Sequence, residues 1–128
     1  MLIGDVSKQF NIPADTLRYY DRIALLSPGR YGGVRRYSQG DLQKLTAIIK
    51  MKKLMFSLDE IRNILAADAQ AEKELQQASP DLSVVQALLK QISTKLQEVE
   101  AMEENIKEVK EELARLAAKI KAVLREEI

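Results

Sequence analysis

Residues able to do chemistry are concentrated in one stretch. Between Thr16 and Ser38, in TLRYYDRIALLSPGRYGGVRRYS, lie five arginines (Arg18, Arg22, Arg30, Arg35 and Arg36) and all four tyrosines of the chain. A guanidinium bonds the O6 and N7 atoms of guanine bidentately, and each such pair is worth about 1–3 kcal/mol of base discrimination. Contacts to phosphate set register without reading sequence. The rest of the inventory excludes other chemistries. There is no His and no Cys, which removes the commonest acid–base catalyst, the commonest metal ligand and all thiol chemistry. No glycine-rich phosphate loop precedes a helix, and no paired carboxylates sit in a cleft-like context. The expectation is a non-enzymatic chain with no catalytic residue, no metal site and no cofactor.

The net charge of +1 hides an asymmetry. Residues 1–56 carry ten Lys and Arg against four Asp, whereas residues 57–128 carry ten against fifteen acids. A basic head on an acidic tail points to a polyanion as the partner of the head alone. No basic segment followed by an apolar run opens the chain, and no apolar run approaches the ~20 residues that span a bilayer. A cytoplasmic protein with no membrane partner is expected.

Elements must position these side chains. Ile3, Val6 and Phe10 have helical spacing, and Asn11-Ile12-Pro13 breaks that helix. A second helix is predicted from Pro13 to Ile23, with Leu17, Tyr20 and Ala24 on one face and Asp15, Arg18, Tyr19 and Arg22 on the other. Helix, tight turn, helix is the layout of a helix-turn-helix. Pro28-Gly29 and Gly32-Gly33 are turn signals. Leu25-Leu26 and Val34 to Tyr37 are expected to pair as a short ribbon, a wing carrying Arg30, Arg35 and Arg36. Ser38-x-x-Asp41 and Ser57-x-x-Glu60 read as capping boxes opening two more helices. Lys50, Lys52 and Lys53 fall late in the first of these. Met51, Met55 and Phe56 read as core.

Beyond Phe56 the only helix breaker is Pro80, and Ser79-Pro80-Asp81 reads as a cap, a first-turn proline and a well-placed acid. From Ser83 to Ile128 nothing interrupts a rod of roughly 69 Å. Val85, Leu89, Ile92, Leu96 and Val99, then Ile106, Val109, Leu113, Leu116, Ile120 and Val123, recur at alternating steps of four and three, a coiled-coil seam. The phase slips once across Met102, Glu103 and Glu104. Such a seam needs a partner helix, and an identical chain is the simplest one. The fold class expected is therefore mainly α. A winged helix-turn-helix occupies 1–68, a linker or helix 69–82, and a dimerising coiled-coil helix 83–128.

The ordered segments TLRYYDRIALL, GGVRRYSQGDL and FSLDEIRNIL resemble the DNA-binding domain of the MerR (mercury-resistance-type) transcriptional regulators over residues 1 to about 65. The resemblance implies a winged helix-turn-helix, an antiparallel coiled-coil dimer, and binding to a palindromic promoter whose distortion lets RNA polymerase use an overlong spacer. It implies recognition-helix contacts from Thr16, Arg18 and Tyr19. Tyr20 matches a position whose ring packs inward while its hydroxyl reaches phosphate. Arg35 and Tyr37 match wing contacts, and Lys52 a backbone contact; Tyr37 reads equally well as a residue that packs the wing onto the core. This sequence departs from the pattern at Val34, where an aromatic is usual, at Met55, where Gly is usual, and at Ile23-Ala24. The cysteines of metal sensors and the separate ligand domain of drug sensors are lacking, so a short form insensitive to metals and thiol reagents is expected. Two alternatives stand beside this reading: a DNA-organising or anchoring protein whose coiled coil docks another protein, and an adaptor whose head binds protein.

Overall fold

The computed structural model describes residues 1–126. They contain five helices and one two-stranded ribbon: α1 (Ile3–Phe10), α2 (Ala14–Arg22), β1 (Gly29–Tyr31), β2 (Val34–Arg36), α3 (Gln39–Lys53), α4 (Leu58–Leu75) and α5 (Leu82–Glu126). The chain forms two compact units, Met1–Lys73 and Glu74–Ile128.

Among the described residues, the first unit holds the entire core. Val6 of α1, Leu17 and Tyr20 of α2, Leu42, Leu45 and Ile48 of α3, and Ile61 and Ala67 of α4 are buried. Their three- and four-residue spacings put each set on one helix face. Leu25, Leu26, Tyr37 and Phe56 close the core from the connections. Both predicted capping boxes are present. Asp41 N donates to Ser38 Oγ at 3.1 Å while Ser38 N donates to Asp41 Oδ2 at 2.8 Å. Glu60 N donates to Ser57 Oγ and Ser57 N to Glu60 Oε1, both at 3.0 Å.

The ribbon differs from expectation. Its antiparallel register pairs Gly29 with Arg36, Arg30 with Arg35 and Tyr31 with Val34. Gly32 and Gly33 (φ 59° and 79°) make the two-residue turn. A type I′ turn needs two positive φ angles, which glycine adopts without strain, and its twist matches the strands it joins. That turn dictates the partner of Val34. Leu25-Leu26 is therefore left out of the ribbon and is buried core instead. On the far side of β2, Leu2 bridges Arg36, and Tyr37 N donates to Met1 O at 2.7 Å, which covers the ribbon edge.

Helix ends also depart from the predicted pattern. α2 stops at Arg22, so Ala24 is not on its apolar face; Ala24 is exposed at φ 57°. Leu25 N donates to Tyr20 O at 2.9 Å and Ala24 N to Asp21 O at 3.1 Å, the paired bonds of a Schellman stop. α3 ends the same way. Phe56 N donates to Met51 O, Met55 N donates to Lys52 O, and Met55 stands at φ 65°. Met55 is consequently not core but 89% exposed, because the left-handed position turns its side chain outward while Phe56 turns in. Met51 is half-buried on α3.

In the second unit, α5 is one unbroken helix of 45 residues. Its cap is Asp81, not Ser79. Asp81 Oδ1 accepts from both the amide and the hydroxyl of Ser83, at 3.0 and 2.7 Å, and Pro80 precedes the helix rather than opening it. These bonds to Ser83 hold the Asp81 carboxyl below its ordinary pKa. Val85, Leu89, Ile92, Leu96, Ile106, Val109 and Leu113 are exposed along α5, with Val99 half-buried. No helix among the described residues is long and apolar enough to cross a membrane.

Candidate nucleic-acid interface

The candidate site is built on α2 and the ribbon. Burying Leu17 and Tyr20 on one face of α2 forces Arg18, Tyr19 and Arg22 to the opposite, solvent side. Thr16, half-buried, lies in the first turn. Arg22 places its guanidinium carbon 5.7 Å from the Tyr19 ring centroid, within cation–π range. Tyr19 in turn lies 6.5 Å from the Tyr20 ring, tilted by 46°. Arg18 pairs with Asp15 at 2.7 Å, but both groups are exposed, so the pair is worth little and leaves Arg18 able to exchange partners.

The ribbon is tied to α2 by an acid. Asp21 Oδ2 accepts from Arg35 Nε at 2.8 Å and from Arg30 Nη2 at 3.2 Å. The Arg35 hydrogen bond, foremost, and the weaker Arg30 bond hold the Asp21 carboxyl below its ordinary pKa. Arg18 and Arg35 line one open depression of about 430 Å³, whose other walls include Leu2, Asp5, Gly33 and Val34. Arg36 is exposed on β2, and Tyr31 projects from the hairpin tip 69% exposed.

The residues singled out from sequence separate into groups. Arg18, Tyr19, Arg22, Arg30 and Arg35 are brought together across α2 and the ribbon. Lys52 is exposed in the last turn of α3, outside the bonded cluster. Tyr20 is buried, and burial raises its hydroxyl pKa. The family resemblance implies a wing contact from Tyr37, but Tyr37 is 3% exposed and its hydroxyl is buried without a hydrogen-bond partner. In this geometry it packs the wing onto the core rather than facing a ligand, and burial raises its pKa too.

Sequence reasoning misses two residues of this site. Asp21 is a lone acid between Arg18 and Arg30, a signal present in the composition. Arg62 gives no local signal. From the first turns of α4 it donates through Nη2 to Ile23 O at 2.7 Å, satisfying a carbonyl at the C-terminal end of α2. Its Nη1 pairs with Asp59 at 2.9 Å. The end of α2 is therefore held both by the ribbon and by α4.

Comparison with known proteins agrees with this architecture. Residues 1–68 match the family described as MerR HTH family regulatory protein. The HTH-type transcriptional regulator HmrR of Rhizobium leguminosarum bv. viciae is 35% identical over 97 residues, which cover 74% of this chain and 72% of that one. The HTH-type transcriptional regulator ZntR of Escherichia coli (strain K12) is 32% identical over 95 residues, 73% of this chain and 66% of that one. In fold, a MerR-family transcriptional regulator from Bacillus thuringiensis superposes with a TM-score of 0.57 at 21% identity, covering 90% of this chain and 97% of that one.

Proposed function

This chain belongs to the MerR helix-turn-helix family and is a DNA-binding transcriptional regulator rather than an enzyme, and from that premise we propose that two copies read the two halves of a palindromic promoter site. α2 enters the major groove and presents Arg18 and Tyr19 to base edges, with Thr16 and Arg22 at its margins. The ribbon lies along the flanking backbone with Arg30, Arg35 and Arg36, and Lys52 touches phosphate from α3. The observation that carries this reading is the single basic surface formed by α2 and the ribbon. There the helix arginines stand free of the core, and the ribbon arginines are held beside them by Asp21.

The apolar seam from Val85 to Val99, continued by Ile106, Val109 and Leu113, runs along a helix of 45 residues and is mostly exposed. Leaving so many large apolar side chains in water is unfavourable, at roughly 25 cal/mol per Å² of apolar surface. A second copy of α5, packed antiparallel, supplies the missing surface. The dimer then carries two reading heads (1–68), one for each half-site, with 83–128 as the dimerising element. Distortion of the bound promoter then brings its elements into a spacing that RNA polymerase accepts.

In vitro selection from random duplexes tests the proposal. The enriched sequence is expected to be an inverted repeat. Arg18→Ala should lose about 1–3 kcal/mol and relax preference at one position per half-site, whereas Lys52→Ala should weaken all sequences alike and flatten the salt slope. Unchanged affinity and preference in Arg18→Ala would mean that α2 is not the reading element.

A further inference from the structure

An acid in a DNA-facing basic surface is a liability. It repels the phosphates that neighbouring arginines attract, and it makes sequence-independent binding weaker. Asp21 occupies such a place on α2, yet its side chain is only 15% exposed, turned toward the ribbon and shared by two guanidiniums. Arg30 and Arg35 are directly opposite each other across the ribbon. Like charges at directly paired positions repel and destabilise a two-stranded ribbon, which is marginal on its own. One carboxylate oxygen receives a donor from each strand, 3.2 and 2.8 Å away, and so converts a repelling pair into a bridge. Asp21 also lies in the last turn of α2, where the backbone is fixed by the bonds to Ala24 and Leu25 and by Arg62 on Ile23 O. The bridge therefore ends on a rigid support.

We propose that Asp21 is a positioning residue for DNA recognition: it sets the angle and spacing between the recognition helix and the wing, and so confers sequence specificity at the expense of raw affinity for DNA. This inference rests on the reading of α2 and the ribbon as the DNA-binding surface. The physical consequence is an opposite response of two kinds of binding. Removing the charge lifts a repulsion, which favours any duplex. It also frees the wing, so that its phosphate contacts no longer reinforce those of α2 on the preferred site. The wing arginines are positioned rather than neutralised: each guanidinium keeps donors beyond the one that Asp21 receives, since arginine has five.

The test uses the full-length chain with the duplex it enriches from a random pool, and a scrambled duplex of equal length. Asp21→Asn is expected to bind the selected site at least tenfold more weakly, about 1.4 kcal/mol, and the scrambled duplex as well as the parent or better. Hydroxyl-radical protection should disappear at the phosphates under the wing and persist under α2. Asp21→Glu, which retains the carboxylate, should recover most of the specific affinity and the wing protection, an outcome that mere loss of stability does not produce. Amide hydrogen exchange at Tyr31 and Arg36 should accelerate in free Asp21→Asn. That measurement, repeated with Asp21→Ser, decides the matter if Asp21→Asn melts without cooperativity. Selected-site affinity and wing protection unchanged in Asp21→Asn would overturn the inference and leave the regulator reading standing. So would a parallel fall on both duplexes. A parent chain that enriches no sequence at all would overturn both.

Discussion

Arg62 provides a test of how the head holds α2. Truncating Arg62 to Ala removes two bonds at once, to Ile23 O at 2.7 Å and to Asp59 at 2.9 Å. The two differ in worth. Asp59 is 86% exposed and three residues away on the same helix, so that pair contributes about 0.2–0.5 kcal/mol. The bond to Ile23 O spans 39 residues, is part-buried, and is charge-assisted. Such bonds contribute about 1.5–3 kcal/mol, and a cation at a helix C-terminus adds a few tenths more. Because Arg62 is 38% exposed, water replaces part of the loss, and about 1.5–2 kcal/mol is the reasoned value. For a head of this size that corresponds to a fall in Tm of roughly 6–16 °C. Urea and thermal denaturation of Arg62→Ala, Asp59→Ala and the double variant would measure it. Asp59→Ala should lose less than about 0.5 kcal/mol, and the double variant should match Arg62→Ala alone. If Asp59→Ala costs as much as Arg62→Ala, or if Arg62→Ala costs under about 0.5 kcal/mol, the strut to the α2 carbonyl is not a stabilising contact.

Ala24 and Met55 occupy left-handed positions that disfavour side chains by roughly 1–2 kcal/mol, so Ala24→Gly and Met55→Gly should each raise stability by about 1 kcal/mol, read as a higher urea midpoint at unchanged slope. The carboxyl pKa of Asp21 is depressed in the folded chain by its arginine bonds, Arg35 first. Its contribution is therefore complete at neutral pH and is lost as pH falls below the ordinary value of 3.8 toward the folded one. An acid titration of wing hydrogen exchange should show this loss in the parent and none in Asp21→Asn. Leu96→Asp, placed in the exposed seam of α5, should convert a dimer at micromolar concentration to a monomer by light scattering, and a parent chain that is already monomeric there would refute the proposed pairing.

Much of this molecule is written locally. Ile3, Val6 and Phe10 predict α1, and the Ser38 and Ser57 boxes predict where α3 and α4 begin. The run without Gly or Pro after Pro80 predicts α5, and the basic, tyrosine-rich stretch marks the candidate interface. Each rests on interactions between residues close together in the chain, which a linear reading captures. The departures share a cause. Leu25-Leu26 reads as a strand because a short apolar run carries no signal of whether it pairs or is buried. The Gly32-Gly33 turn excludes it by choosing Gly29–Tyr31 as the partner of β2. Ala24 and Met55 do not look like helix stops, because the packing of Leu25 and Phe56 into the core, rather than a glycine, holds those left-handed turns. Ser79 and Asp81 are both good caps by residue type, and Asp81 takes the role because its carboxylate is the group that reaches the amide and hydroxyl of Ser83. Tyr37 has the composition of a contact residue and the burial of a core residue. Residue order alone dictates which side chains carry charge and which helix faces present them, since both follow from side-chain type and helical period. The union of Asp21 with Arg30 and Arg35, and the reach of Arg62 to Ile23, come from the folded core instead. Those bonds close over 9, 14 and 39 residues, and they form only once the packed helices have fixed the distances between their partners.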